Sequence, residues 1–332
     1  MKPKLLILQH KNNFKIPTYA ESKIVRRHFD VEKGKKIKGN PDLIYCQAYG
    51  PYQDDLADSP FPYVIHLGGD PWLEFTGKRI ERVKRMLLHA AHITCVSDFL
   101  AVRIDRGLRG KGSVLGLPGG LWGMVHTPLG PNPKRFIKKR DYNLRNPVNL
   151  VMSFALRDNP ITKTKWDGIE IFLKAAKDLI KKWNIKITCA GKSEVHFPKL
   201  DEWEQKYNFH SVPSSHLTDK VDRWPKILSE ADLFVHPSTF DCWPRVVAEA
   251  MMVGVPTCVF DVTGNGEVGK TILKVKPENV NDMITQIDNL LGSERERRLM
   301  GLAHRYEAEA NNEKHKCDYA SILLNVLERS QR

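Results

Sequence analysis

No Gly-x-Gly-x-x-Gly follows any predicted strand in the first 150 residues. That absence argues against a nicotinamide dehydrogenase, whose pyrophosphate needs close backbone approach at the first strand-to-helix turn. Asp-x-Asp is missing throughout, and the six cysteines, Cys46, Cys95, Cys189, Cys242, Cys258 and Cys317, never occur at Cys-x-x-Cys spacing. Buried thiols in a reducing compartment explain them better than a disulfide framework or a zinc site. No apolar run approaches the roughly 20 residues needed to span a bilayer. The opening stretch MKPKLLILQH has too short an apolar segment for a secretory signal and reads as a first strand, so a cytoplasmic protein is expected. Residues 1–150 also lack basic-aromatic interleaving or a nucleic-acid motif, against a nucleic-acid partner.

What is present fits a soluble chain of two ordinary domains: 332 residues, 41% hydrophobic and 27% charged. The formal net charge of +13 is unevenly placed, because residues 1–150 hold 26 Lys and Arg against 13 Asp and Glu while the remainder balances. An anionic partner such as a membrane surface or a phosphorylated acceptor would account for this, and so would a solubilising surface. Lys33, Lys35, Lys36 and Lys38 read as a solvated loop.

Short apolar runs alternate with helical patterns, as in a sheet with crossover helices. Strands are expected at 4–9, 43–48, 63–67 and 92–96, with helices at 19–29, 76–91 and 98–108. Pro128, Gly130, Pro131, Pro133 and Pro147 flank the basic run Lys134 to Arg140 and mark an interdomain linker. A second series follows, with strands at 149–155, 185–190, 232–235 and 256–262 and helices at 168–182 and 221–230. Beyond Pro277 the pattern is helical at 280–291, 293–309 and 316–328.

One stretch organises the rest: HPSTFDCWPRVVAEAMMVGVP, from His236 to Pro256. Pro244 is expected at the first helical position, and Gly254 with Pro256 stops the helix. Val246 to Val253 is apolar except for Glu249, so that carboxylate is buried and must either pair within the protein or receive a ligand's donors. Asp241 lies eight residues earlier, on the loop feeding the helix. An acidic residue, seven intervening positions, then Glu249-Ala250-Met251-x-x-Gly254-x-Pro256 resembles the acidic signature of retaining glycosyltransferase family 4. Asp241 departs from the family's more frequent Glu by one methylene.

The resemblance implies an α/β chain of GT-B fold, two Rossmann-like domains facing a central cleft. It divides the chain into an acceptor-binding domain at 1–130, a linker at 131–147, a nucleotide-sugar-binding domain at 148–312 and a final helix at 313–332 that crosses back to the first domain. It implies transfer of a hexose from a nucleotide-diphosphate sugar to a glycan or lipid-linked acceptor, without metal or cofactor. A sugar-nucleotide epimerase and a degenerate, non-turning-over transferase remain as alternatives. Glu249 would bind the ribose hydroxyls and Asp241 a sugar hydroxyl, with Arg157 and either Lys163 or Lys165 on the diphosphate. Gly264-Asn265-Gly266-Glu267 is similar to the family's glycine loop and would approach the donor phosphates. His66, at the end of a strand before Gly68-Gly69, would contact the sugar, with Asp70 and Trp72 as acceptor contacts. The stretch His92 to Ser97 looks like the family's late acceptor-domain strand, although a strand followed by a Ser cap needs no function. The basic first half would permit peripheral contact with an anionic membrane.

Overall fold

The computed structural model describes residues 2–8, 22–34, 36–47, 56–68, 77–109, 122–124, 134–139, 141–156, 160–192, 198–213 and 223–332. The chain forms two compact units, one of residues 1–130 and 311–332, the other of residues 131–310.

The described residues of the first unit form six strands, β1 (Lys4–Leu8), β2 (Asp30–Gly34), β3 (Leu43–Gln47), β4 (Tyr63–Leu67), β5 (His92–Cys95) and β6 (Trp122–Met124). They pair in the order β2-β1-β3-β4-β5-β6, every pairing parallel. Tyr63–Leu67 is buried at every position, as expected of a central strand with both faces covered. Leu5, Ile7, Leu43, Tyr45 and Val64 pack with Tyr319, Leu323 and Val326 from the last helix. Two sequence expectations fail at the sheet's rim. Residues 30–34 form the edge strand β2, where no strand is expected and Lys33 reads as loop, and the three-residue β6 is not expected either. Strand β2 buries little, so it lacks the apolar run that identifies β4.

The second unit carries β7 (Val148–Leu156), β8 (Ile185–Lys192), β9 (Phe209–Pro213), β10 (Leu233–His236), β11 (Thr257–Phe260) and β12 (Leu273–Val275). Their order, β12-β11-β10-β7-β8-β9, is again wholly parallel and reverses direction between β7 and β10. Side chains alternate along β7: Val148, Leu150 and Met152 join one core with Phe172 and Ile187, whereas Val151 joins the other with Phe234 and Val247. Strands β9 and β12 and the helix Pro198–Lys206 were not expected from periodicity. The helix expected at 168–182 begins earlier, at Pro160, and breaks at Ala176.

Residues 134–139 and 141–147 correct the linker reading, because they are packed into the second unit. Phe136 and Tyr142 are buried, the Lys139 amide donates to the Val253 carbonyl at 2.7 Å, and Lys139 Nζ donates to the Ala231 carbonyl at 2.6 Å. Buried Asp232 takes Arg145 at 2.8 Å and lies 3.7 Å from Lys139 Nζ. Burial pulls the Lys139 ammonium down to about 8, with Asp232 opposing the shift. A second correction concerns the end of the chain, where a single helix, Glu294–Ser330, replaces the two expected. Its Arg297 is buried and caps the helix Val280–Gly292 by donating to the Leu290 and Leu291 carbonyls at 2.8 and 2.7 Å, and to Tyr142 O. Five of the cysteines are buried and Cys317 is exposed. No helix among the described residues is long and apolar enough to cross a membrane.

Gly301 lets the last helix meet the end of Arg245–Val253 at backbone distance. A Cβ there would collide with the Gly254 carbonyl and lie 2.5 Å from the Tyr142 hydroxyl. Gly301→Ala should therefore lose about 1–2 kcal/mol despite its better helix propensity, read as a lower urea midpoint.

Candidate functional site

In an open parallel sheet, ligands gather at the carboxyl ends of the strands where the order reverses, because the flanking loops diverge there. In the second unit that point lies after β7 and β10, so the His236–Asp241 loop is at the expected place. Helix Pro160–Ala175 is held against this loop by Gly168, whose Cβ position is already filled by the Pro237 carbonyl. The Ser238 hydroxyl donates to the Phe240 carbonyl at 2.8 Å and fixes the turn. Helix Arg245–Val253 follows, with Pro244 at the N-cap, one position earlier than expected. Gly254, at φ +84°, ends it in the left-handed cap that a Cβ would oppose, with its N–H on the Ala250 and Met251 carbonyls.

The Asp241 loop is bonded to the segment after β11. The Asp241 amide donates to Thr263 Oγ1 at 3.0 Å, and that hydroxyl returns a bond to Asp241 O at 2.8 Å. The Gly264 amide also donates to Asp241 O at 2.9 Å, and Asn265 Nδ2 reaches Ser238 O at 2.7 Å. The glycines also have a structural role. Gly264 is required because a Cβ would overlap the Cys242 carbonyl, and its N–H is already committed within the protein. Gly266 is similarly crowded by the Asp261 carboxylate. Glu267 closes the 3-10 turn Asn265–Glu267. Gly264, Gly266 and Gly269 also have the Gly-x-Gly-x-x-Gly spacing, but a 3-10 turn and then β12 follow where a dinucleotide fingerprint would open a helix.

The two acidic residues have different surroundings. Asp241 is partly open, its side chain 17% exposed, with Oδ1 accepting from the Trp243 amide at 3.3 Å and Oδ2 3.8 Å from His236 Nε2. His236 is buried, a neighbour that sequence reasoning placed just beyond the strand and gave no role. Glu249 is buried, as expected, and both its oxygens are engaged within the protein: Trp224 Nε1 donates to Oε2 at 2.7 Å and Arg245 Nε lies 3.1 Å from Oε1. Its burial is thus accounted for without a ligand, so the expectation that a substrate completes its bonding is not required by the geometry. A carboxylate offers about four acceptor directions, so two remain. Trp224 escaped the sequence reading, although a buried indole N–H needs an acceptor and Glu249 is the carboxylate in the neighbouring apolar helix.

His66 lies on β4 and is only 1% exposed. Its Nδ1 is 2.9 Å from Thr94 Oγ1 and 2.6 Å from the Tyr319 hydroxyl, which lies 3.3 Å from the Tyr45 hydroxyl. Burial pushes His66 down to about 3 and Tyr319 up, the latter opposed by its contacts with Tyr45 and Thr94. Asp70, Trp72 and Arg157 lie outside the described residues. Lys163 and Lys165 belong to the helix Pro160–Ala175 and not to a loop. Among the described residues no group of three or more His, Cys, Asp or Glu could hold a metal ion.

Residues 160–293 match the family model for Glycosyl transferases group 1. That segment includes Asp241, Glu249 and the glycine turn. No curated relative matches the chain by sequence. Among solved structures, sucrose-phosphate synthase from Thermosynechococcus elongatus is similar at a TM-score of 0.68 and 16% identity, covering 99% of this chain and 100% of that one. HepE of Anabaena, solved with UDP and glucose, gives 0.60 and 14%, covering 95% and 98%. TarM gives 0.59 and 15% over 86% of this chain, which spans 54% of the TarM length. At these identities the likeness shows the fold, two Rossmann-like domains of the GT-B kind.

Two buried histidines make the first unit sensitive to acid. His66 is held down to about 3 and His92 to about 4 by burial, against an ordinary 6.5. Between those values the unfolded chain binds protons that the folded chain does not, so stability is full above 6.5 and falls as the pH drops toward 3. Each histidine contributes a slope of up to about 1.4 kcal/mol per pH unit. The urea midpoint should fall between pH 6.5 and 4, and His66→Gln should flatten that dependence.

Proposed function

We propose that the protein is a retaining glycosyltransferase that moves a hexose from a nucleotide-diphosphate sugar to an acceptor hydroxyl. The observation that carries this reading is the bonded pair of loops at the β7/β10 reversal, which holds partly open Asp241 beside the start of the helix bearing Glu249. Helix starts favour anions, and here a donor's diphosphate would meet backbone N–H groups together with the cations of Arg157 and Lys163 or Lys165. Such cations count most as the bond breaks, since charge then grows on the leaving phosphate. In this reading they do the neutralising that a metal would otherwise do.

Asp241 then holds a sugar hydroxyl, and Glu249 offers its remaining acceptor directions to the ribose. The Gly264-Asn265-Gly266-Glu267 turn approaches the donor phosphates. His66 takes a sugar hydroxyl, with Asp70 and Trp72 on the acceptor. No carboxylate is assigned as a covalent nucleophile, and the departing phosphate assists deprotonation of the acceptor. The match of residues 160–293 to Glycosyl transferases group 1 supports the chemistry, and the UDP and glucose bound by HepE support the donor class. The basic excess in residues 1–150 supports a glycan or lipid-linked acceptor that is anionic or borne on a membrane surface.

A ligand that binds only the folded chain raises its melting temperature. Screening UDP-, GDP- and ADP-sugars should give a rise with one nucleotide class, and silence across the panel would remove the proposal. Glu249→Gln should lose about 1–3 kcal/mol of stability, because its amide must point an N–H at Arg245 or Trp224, and should also weaken nucleotide binding. Lost stability with unchanged nucleotide affinity would make Glu249 purely structural.

A further inference from the structure

His66 has two hydroxyls on one ring nitrogen and, among the described residues, no hydrogen-bond partner on the other. Thr94 Oγ1 and the Tyr319 hydroxyl both lie within 2.9 Å of Nδ1. Nε2 is buried and has no hydrogen-bond partner among the described residues. We propose that Thr94, paired with His66 across the β4/β5 register, keeps the imidazole proton on Nδ1 and thereby leaves Nε2 as a hydrogen-bond acceptor for a substrate hydroxyl.

The assignment follows from counting protons. A bare Nδ1 has a single in-plane lone pair and can accept from only one of the two hydroxyls, leaving the other oxygen facing it lone pair to lone pair. An Nδ1–H can fork between both oxygens. The hydroxyl protons have other destinations: Thr94 donates to the Ile65 carbonyl at 3.3 Å, and Tyr319 can donate to Tyr45. Thr94 is the deciding member because its hydroxyl is anchored on a backbone carbonyl, which can only accept. Without Thr94 the Tyr319 phenol is free to donate to Nδ1, and the proton moves to Nε2, which then presents a donor. Thr94 is thus a positioning residue acting through His66. The acid titration of His66 lies far below neutrality, so Nε2 accepts a hydrogen bond without taking the proton.

The substrate half rests on the reading of His66 as a sugar contact, and the test separates the two. Imidazole nitrogen correlation spectra of the 15N-labelled full chain, assigned with His66→Gln, should show a protonated Nδ1 and a bare Nε2 at neutral pH. Thr94→Val should move the proton to Nε2, and Thr94→Ser should restore the original pattern. A wild-type proton on Nε2, or an unchanged tautomer in Thr94→Val, overturns the proposal without touching the transfer reading. Titration with UDP-glucose then probes the ligand. Thr94→Val should weaken binding about threefold to tenfold, the worth of one neutral hydrogen bond, and Thr94→Ser should not. Equal affinities overturn the acceptor role of Nε2. Failure of every nucleotide sugar to bind wild type overturns the transfer reading and leaves the tautomer result standing.

Discussion

Two backbone contacts too close for any side chain hold the loop after β10. The Pro237 carbonyl occupies the space where Gly168 would carry a Cβ, and the Cys242 carbonyl does the same at Gly264. One contact comes from the helix that follows β7 and the other from the segment that follows β11, so the loop is clamped from both neighbours along the sheet. Larger residues would push these elements apart, and interiors packed to crystalline density have little slack to absorb that. Everything that lends the Asp241 loop its shape depends on these two glycines, including the Thr263 hydroxyl that both accepts from and donates to the Asp241 backbone.

Burial divides the candidate side chains by what they can exchange with a ligand. Glu249 is enclosed, and two of its acceptor directions are spent on Trp224 and Arg245, so its charge is already compensated inside the protein. Asp241 is more open, its side chain 17% exposed. The conspicuous carboxylate in an apolar helix thus has partners on both of its oxygens. His66 goes further, since burial keeps it neutral across the physiological range and confines it to hydrogen bonding.

Central elements were legible because their constraint is local. Tyr63–Leu67 is an apolar run buried at every position, and Gly254 with Pro256 marks a helix end whose left-handed cap is visible in the backbone. Edge strands β2 and β12 were not legible, since they bury too little to impose a pattern. The site was readable only in part for a different reason. Asp241 and Glu249 share a short stretch, whereas Trp224 is 25 residues from Glu249 and Tyr319 is 253 residues from His66. Spacing along a chain carries no record of such pairings; they arise when helices distant in the chain pack on one another or on a strand. The linker failed because proline spacing and a basic run report local irregularity and say nothing about Lys139 and Arg145 being drawn toward buried Asp232.

The helix Glu294–Ser330 belongs to both units, residues to 310 with the second and from 311 with the first. Tyr319, Leu323 and Val326 pack on residues of β1, β3 and β4, so these strands leave the ribosome long before the segment that shields them is made. The second unit, by contrast, is complete as soon as residue 310 has emerged. Synthesis and consolidation therefore run in opposite orders. The first unit waits with apolar surface uncovered until residues 311–332 have been made, and holdase chaperones would find an opportunity there.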